Sequence, residues 1–506
     1  MAGRLRTVMW DRLFQRSAQG GMSLQGQIRQ MLVSAILDGQ IPVGVPLPSS
    51  RELAEQLGVA RNTVVLAYQQ LIDEGYLISR ERSGHFVNPD ILGRKASPRG
   101  GTAGGGPAPQ WTERFRFQPS RQRNIVKPAD WQKFPYPFIY GQFDPSLFPT
   151  AEWRECCMKE LSVMEIRDWA PDLIARDDPS LIQQIRTRVL PRRGVWASEE
   201  EIVVTVGAQQ ALYLLADLLV TDRTVVGIED PGYPDARNIF ASRTFQVIGL
   251  PVDEQGLPMS EALDRCDYVY VTPSHQCPTT VTLPLERREA LLKRAEEADF
   301  VLIEDDYECE YGFSKEPTPA LKSLDRSDRV IYIGSLSKTF APGLRLGYIV
   351  GPEALIREVR ALRRLMLRHP SAFIQRSFAL FLALGHHDAL LRRLSYAYRE
   401  RAQVLAEAID RYLPQVAHVP VTGGASCWVR GPDWLDAREL ARAAAARGVL
   451  IEPGDIFFMA EDPPRHHFRL GFSSIPVDKI EPGIRRLAEA LDEQAGSRSI
   501  RISKAP

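Results

Sequence analysis

Cysteine is scarce: six in 506 residues, at positions 156, 157, 266, 277, 309 and 427. That is too few for a disulfide-built scaffold. No two stand as Cys-x-x-Cys, and no histidine pair lies near them at zinc-finger spacing. No metal site is therefore expected, and reduced thiols in the cytoplasm are the simplest reading. Long apolar runs are missing too. None approaches the roughly 18 residues a membrane span needs, so no membrane partner is expected. The opening stretch, MAGRLRTVMWDRLFQRSAQG, is basic without a continuous apolar segment and is not expected to be a signal peptide. Net charge is absent as well, because 63 Lys and Arg balance 63 Asp and Glu. Taken whole, that balance argues against a nucleic-acid partner.

What is present is ordinary globular chain. Hydrophobic residues make up 44% and charged residues 25%, which excludes a mostly disordered or collagen-like protein. At about 150 residues per domain, two or three domains are expected. The zero net charge is uneven: residues 1–130 hold 17 basic and 10 acidic side chains, the remainder 46 and 53. A basic N-terminal part and an acidic remainder predict domains with different partners. Residues 91–109, ILGRKASPRGGTAGGGPAP, have the composition of a flexible linker between them. There is no internal repeat.

Before the linker, Ile28, Met31, Leu32, Ala35 and Ile36 fall on one helical face, and Gly39 is placed to end that helix. Ser49 and Glu52 form a Ser-x-x-Glu capping box, so a second helix starts there, with Leu53, Ala54 and Leu57 on its buried side. Gly58 supplies a tight turn. A third helix follows, carrying Val64, Ala67, Tyr68, Leu71 and Ile72 at helical spacing, and Gly75 closes it. Short strands around Tyr76–Ser79 and His85–Val87 flank a hairpin tip, Arg80 to Gly84. Two short helices joined by a Gly-containing turn read as a helix-turn-helix, and the hairpin as its wing. The second of these helices would meet the major groove with Arg61, Asn62 and Thr63, residues suited to base edges. Ser49, Ser50 and Arg51 stand at a helix start suited to phosphate. Arg82, Gly84 and His85 would reach a minor groove from the wing. The segments LPSSRELAEQLGVARNTV, LIDEGYL and RSGHFV resemble the GntR family of winged-helix regulators.

After the linker, short β-branched runs (Ile202–Val206, Thr224–Ile228, Tyr268–Val271, Phe300–Ile303 and Val330–Ile333) alternate with helical stretches such as Gln209–Leu219 and Leu285–Ala298. The pattern predicts an α/β domain with a largely parallel sheet, whose ligands sit beyond the C-terminal strand ends. Three motifs stand there. Gly207-Ala208-Gln209 opens a helix and suits an anion. Glu304-Asp305-Asp306-Tyr307 puts carboxylates directly after an apolar strand. GSLSKTFAPGLRLGY offers Ser335, Ser337, Lys338 and Arg345, and a lysine among hydroxyls and glycines suits Schiff-base chemistry. An anion cradle, an amine and a carboxylate after three different strands match what pyridoxal phosphate requires.

In motif order, TVGAQQAL, EDPGYP, TPSHQCPTT, IEDDYE, GSLSKTFAPGLRLGY and FRLGF, residues 136–490 resemble a fold-type I, aspartate-aminotransferase-like domain. Such a domain has a large, mostly parallel mixed sheet and a small α+β subdomain. The resemblance implies pyridoxal 5'-phosphate as cofactor, with Lys338 as its Schiff-base lysine. It implies Asp305 at the pyridine nitrogen, Tyr307 at the ring hydroxyl and Tyr233 over the ring face. Ser335, Ser337, Arg345 and the amides of Ala208 and Gln209, after Gly207, would hold the phosphate. Arg469 would bind a substrate or effector carboxylate. Two departures stand out. Relatives often read Pro-Thr-Gly where this chain has Pro278-Thr279-Thr280, and their usual asparagine gives way to His275, Gln276 and Cys277.

Winged helix, linker and aminotransferase-like domain together resemble the MocR subfamily of bacterial regulators, whose wording TPSHQ, EDPGYP and EDDYE also fits. The resemblance divides the chain into a DNA-binding domain at 22–89, a linker and basic flank at 90–130, and a cofactor domain at 131–495. Within the last, a large part would span about 175–360 and a small part about 370–495. It implies a head-to-tail, domain-swapped homodimer, paired operator half-sites, and an amino compound or the cofactor itself as signal. Two alternatives stay open: a working aminotransferase with a DNA-binding appendage, favoured by GGASCWV at 423–429, and a dead dimerisation scaffold. Retention of Lys338, Asp305, Tyr307 and Arg345 together argues against the scaffold.

Overall fold

The computed structural model describes residues 10–17, 21–81, 83–90, 109–311, 313, 318–336 and 338–502. Arg82, Ser337 and all but the last residue of the expected linker 91–109 lie outside the described residues. The chain forms two compact units, Met1–Phe115 and Arg116–Pro506.

In the first unit, helices α1 (Trp10–Ser17), α2 (Leu24–Leu37), α3 (Ser50–Leu57) and α4 (Arg61–Asp73) precede a hairpin of β1 (Leu77–Arg80) and β2 (Gly84–Val87). The apolar faces converge as their spacing requires: Ile28, Leu32, Leu53, Val64 and Leu71 are wholly buried in one core. The Ser49–Glu52 capping box is formed in both directions, worth about 1 kcal/mol to the start of α3. Gly58 ends α3 in the left-handed region at φ +65°, where a side chain is strained. Helix α1, which the periodicity did not predict, buries Trp10 against the same core.

In the second unit the seven-stranded sheet comprises β4 (Ile202–Thr205), β5 (Val226–Asp230), β6 (Val247–Pro251), β7 (Tyr268–Val271), β8 (Val301–Asp305), β9 (Val330–Ser335) and β10 (Gly347–Val350). Their order is β4-β10-β9-β8-β7-β5-β6. Strand β10 runs antiparallel to both neighbours, and β5 to β9 pair parallel. Strands such as β4 and β10 are buried along their whole length, which explains their unbroken apolar sequence. The rule for predicting strands missed β6 and β10. The former carries glycine and proline and the latter starts at glycine, so neither reads as a clean β-branched run.

A second, antiparallel sheet is formed by β11 (Ala417–His418), β12 (Ser426–Arg430), β14 (Glu452–Pro453) and β15 (His467–Gly471), in the order β11-β12-β15-β14. Between β12 and β14 in the chain lies β13 (Val449–Leu450), which pairs parallel with β3 (Tyr136–Pro137). The long helices His386–Tyr412 and Val477–Ile502 pack against each other, and the second also meets β3 and β13.

Candidate cofactor cavity and nucleic-acid interface

Because β10 alone is reversed, the C-terminal ends of the other six strands share one edge of the sheet, and the start of β10 joins them there. At this edge a cavity of about 340 Å³ is lined by Gly207, Ala208, Gln209, Tyr233, Asp305, Tyr307, Ser335, Lys338, Arg345 and Arg469. The structure thus brings together every described residue that the sequence singled out for cofactor or effector.

Strand β4 turns at Gly207 directly into the helix Gly207–Leu219. Gly207 has φ +75°, and a Cβ there would lie 3.1 Å from Nη2 of Arg345, so this turn needs glycine. Val206 offers the helix no side-chain cap. An uncapped helix start beside a guanidinium is suited to a phosphate. Arg345 arrives from the start of β10 in a left-handed conformation, φ +54°. The side chain of Gln209 and the hydroxyl of Tyr233 both donate to Oδ2 of Asp235, at 3.2 and 3.1 Å, which fixes the Tyr233 ring at the cavity wall.

Strand β8 ends on Glu304 and Asp305, and Asp306 follows it; the three carboxylates have different fates. Asp305 faces the cavity and is buried. Its Oδ2 accepts from the Tyr270 hydroxyl at 2.9 Å, and its Oδ1 has no hydrogen-bond partner. Burial raises its pKa above the ordinary carboxylate value, against the opposing pull of Lys338. Glu304 accepts from the backbone amides of Leu321 and Lys322, and burial pushes it up to about 7. Asp306 is clamped by Arg193 at 2.7 Å and by the Tyr332 hydroxyl at 2.9 Å. Glu304 and Asp306 hold the fold, leaving Asp305 as the one of the three that lines the cavity.

Lys338 follows β9. Its Nζ donates to the Tyr140 hydroxyl at 3.0 Å and stands 4.0 Å from the centroid of the Tyr307 ring. On β15, Arg469 is buried with Nε on Glu452 Oε2 at 2.9 Å, its guanidinium 4.3 Å from the Tyr140 ring centroid, and Nη2 without a partner.

The two sequence departures have local explanations. Thr280 takes the left-handed conformation a glycine would supply, at φ +67°, with its amide on the Gln276 carbonyl at 2.7 Å. Gln276 is a buried brace: its amide donates to Glu229 and to the carbonyls of Pro231 and Cys277, and it accepts from Thr279. His275 is buried 3.9 Å from Glu308. The sequence reading missed Tyr140, Tyr270, Asp235, Lys127 and Glu452. Tyr270 was legible, since its place near the end of β7 puts it one strand from Asp305. Asp235 directly follows the EDPGYP motif, and Tyr140, Lys127 and Glu452 come from segments with no motif.

In the first unit, Ser49, Arg51, Arg61, Asn62 and Gly84 are exposed, while Ser50, Thr63 and His85 are half-buried. Arg61 Nε reaches the Ser50 hydroxyl at 3.5 Å, so the starts of α3 and α4 form one polar face. His85 packs edge-on against Tyr68 with ring centroids 5.0 Å apart, and its Nδ1 is buried without a partner.

The architecture defines a winged helix-turn-helix joined to a fold-type I aminotransferase domain. Comparison with known families agrees. Residues 24–87 match the bacterial regulatory proteins of the gntR family, and residues 176–487 match aminotransferase class I and II. The HTH-type transcriptional regulator TauR of Rhodobacter capsulatus is 43% identical over 478 residues, 94% of this chain and 98% of that protein. A probable rhizopine catabolism regulatory protein, MocR of Rhizobium meliloti, is 32% identical over 95% of this chain and 96% of its own length. The crystal structure of Pyrococcus horikoshii kynurenine aminotransferase, in complex with PMP, superposes with a TM-score of 0.69 at 27% identity, over 76% of this chain and 98% of that one. The chain belongs to the MocR subfamily of GntR-family transcriptional regulators. No helix among the described residues is long and apolar enough to cross a membrane.

Proposed function

We propose that the second unit binds pyridoxal 5'-phosphate, and that the chain works in the cytoplasm as a homodimer whose grip on operator DNA responds to an amino compound or to the cofactor itself. The observation that carries this reading is the buried, unpartnered Oδ1 of Asp305, in one cavity with the Lys338 amine and the Gly207–Arg345 anion cradle. A protonated pyridine nitrogen supplies the missing donor, and a phosphate suits the cradle. The PMP in the kynurenine aminotransferase structure supports the same choice. When bound, the cofactor offers an electrophilic aldehyde to amines.

The chain's own residues do the rest. Asp305 holds a proton on the ring nitrogen, and Tyr307 meets the ring hydroxyl. Tyr233 covers a ring face. Arg345, Ser335, Ser337 and the amides of Ala208 and Gln209 hold the phosphate, and Tyr140 orients the Lys338 amine. Arg469 takes the acid group of the effector. In the first unit Arg61, Asn62 and Thr63 read base edges, and Ser49, Ser50 and Arg51 hold phosphates. The wing, with Arg82, Gly84 and His85, lies at a minor groove. The working domains are 22–89 and 131–495, and the flank before 131 adds Ile125 and Lys127 to the cavity of the second. Head-to-tail, domain-swapped pairing of two chains brings two heads to paired half-sites.

The test is spectroscopic. The full-length protein mixed with pyridoxal phosphate should acquire a visible absorbance band, which Lys338→Ala abolishes together with the amine-dependent change in DNA binding. A Lys338→Ala protein with an unchanged spectrum and response would sink the reading. Turnover by the same site is a second reading, favoured by the Tyr140 hydroxyl 3.0 Å from Lys338 Nζ, where it can relay a proton. A transamination assay across amino donors separates the two.

A further inference from the structure

The basic flank that follows the linker is built into the cavity wall. Gln122 Nε2 donates to the Asn238 carbonyl at 3.1 Å, and Arg123 donates to the carbonyls of Asp455 and Ala460 at 2.7 and 3.2 Å. Asn238 answers through Nδ2, which donates to the Arg123 carbonyl at 2.9 Å. Beyond this anchor, Ile125 and Lys127 line the same cavity as Lys338 and Arg469.

Lys127 bonds the Tyr140 carbonyl and stands 3.7 Å from Oε1 of Glu452, whose Oε2 holds Arg469 at 2.9 Å. Two cations thus share one carboxylate, which leaves one positive charge over at the cavity wall. The cluster is built but incomplete: Arg469 Nη2 and Glu452 Oε1 are buried without hydrogen-bond partners. Burial lowers the Lys127 amine from its ordinary value, and Arg469 and Lys338 lower it further against the pull of Glu452. An arriving anion would relieve that cost.

Resting on the cofactor reading above, we infer that Lys127 is the second cation of the subsite for the effector's acid group, so that an amine carrying a compact oxyanion, carboxylate or sulfonate, is gripped jointly by Arg469 and by the chain that leads into the linker. Two consequences separate this from a grip by Arg469 alone. Specificity for an acid over a neutral amine depends on a residue outside the aminotransferase motifs. Occupancy of the cavity also bears on the segment 122–127, which the carbonyls of Asn238, Asp455 and Ala460 anchor.

The experiment uses full-length, cofactor-loaded protein titrated with γ-aminobutyrate and taurine, and with propylamine as the acid-free probe, following cofactor absorbance. The wild type should bind at least one acid more tightly than propylamine. Lys127→Met should shrink that preference about tenfold, the size of one lost charge contact, with propylamine unchanged. Lys127→Arg should restore most of it, and the two acids tell a carboxylate from a sulfonate subsite. Hydrogen exchange at residues 122–127 should slow when the acid binds the wild type, and not in Lys127→Met. An undiminished preference in Lys127→Met overturns the inference, as does an equal loss for acid and propylamine or a wild type that ignores the acid. A wild type without cofactor absorbance would instead overturn the cofactor reading itself.

Discussion

The Tyr270 hydroxyl and the Asp305 carboxylate share a 2.9 Å hydrogen bond that engages Oδ2 and leaves Oδ1 buried and bare. Tyr270 therefore positions the carboxylate without satisfying it. A buried acceptor left in this state costs about 1–3 kcal/mol, which a cationic donor on the ligand returns.

Asp305→Ala should accordingly weaken pyridoxal phosphate binding by about 10- to 100-fold, the worth of a charge-assisted hydrogen bond of roughly 1.5–3 kcal/mol. Fluorescence titration of the cofactor-free protein measures it. Asp305→Asn should bind as poorly while unfolding no earlier than the wild type, because it removes a buried charge without opening a cavity. Wild-type affinity in both variants would refute the pairing.

Gly207→Ala should act on the phosphate end. The left-handed φ of +75° would add strain of about 1–2 kcal/mol, and the new methyl would press on Arg345 at 3.1 Å. Cofactor affinity should fall by at least tenfold, with little change in the amine preference of whatever cofactor remains bound. Phosphate-free pyridoxal should lose much less, and equal losses for both ligands would contradict the placement.

Burial raises the pKa of Glu229 to about 7 from an ordinary 4.5, even though it accepts from the Thr272 hydroxyl and the Gln276 amide. A folded-state value above the unfolded one means the folded protein binds the extra proton between roughly pH 4.5 and 7. Stability from this group is therefore present at the acidic end of that window and lost as pH rises through it. Glu229→Gln should flatten the corresponding slope in urea unfolding of the second unit. An unchanged slope would show that Glu229 does not titrate there.

In the first unit, Arg61→Ala should weaken operator binding by about tenfold and lower the slope of log affinity against log salt by about one if Arg61 meets a phosphate. If it reads a base, the loss should be confined to the operator and the slope should stay. Fluorescence anisotropy on operator and scrambled duplexes from 50 to 200 mM salt, the range over which phosphate contacts lose most of their strength, distinguishes the two.

The parts legible in the sequence were those where local chemistry decides the outcome. Ser49 and Glu52 had to cap a helix wherever it packed, and the strands ending at Thr205, Asp305 and Ser335 carried unbroken apolar runs into polar residues. Asp305 and Lys338 could be named because each follows such a run, and Arg345 because it shares the GSLSKTFAPGLRLGY motif with Lys338. What stayed hidden depends on distant pairing. Tyr140 meets Lys338 across 198 residues, and Lys127 meets Glu452 where the distant strands β3 and β13 pair. No local period encodes such contacts. Helix α1 escaped because its short apolar stripe, Trp10, Leu13 and Phe14, takes meaning only against the core that covers it.

Strand β10 returns antiparallel between β4 and β9, and the chain that links it to β9 leaves and re-enters the sheet through one neck, closed by the Leu336 amide on the Leu346 carbonyl at 3.1 Å. Lys338 stands just past one side of that neck and Arg345 just before the other. The pairing of β9 with β10 therefore sets where the amine and the guanidinium leave the sheet, whatever the course of the loop between them.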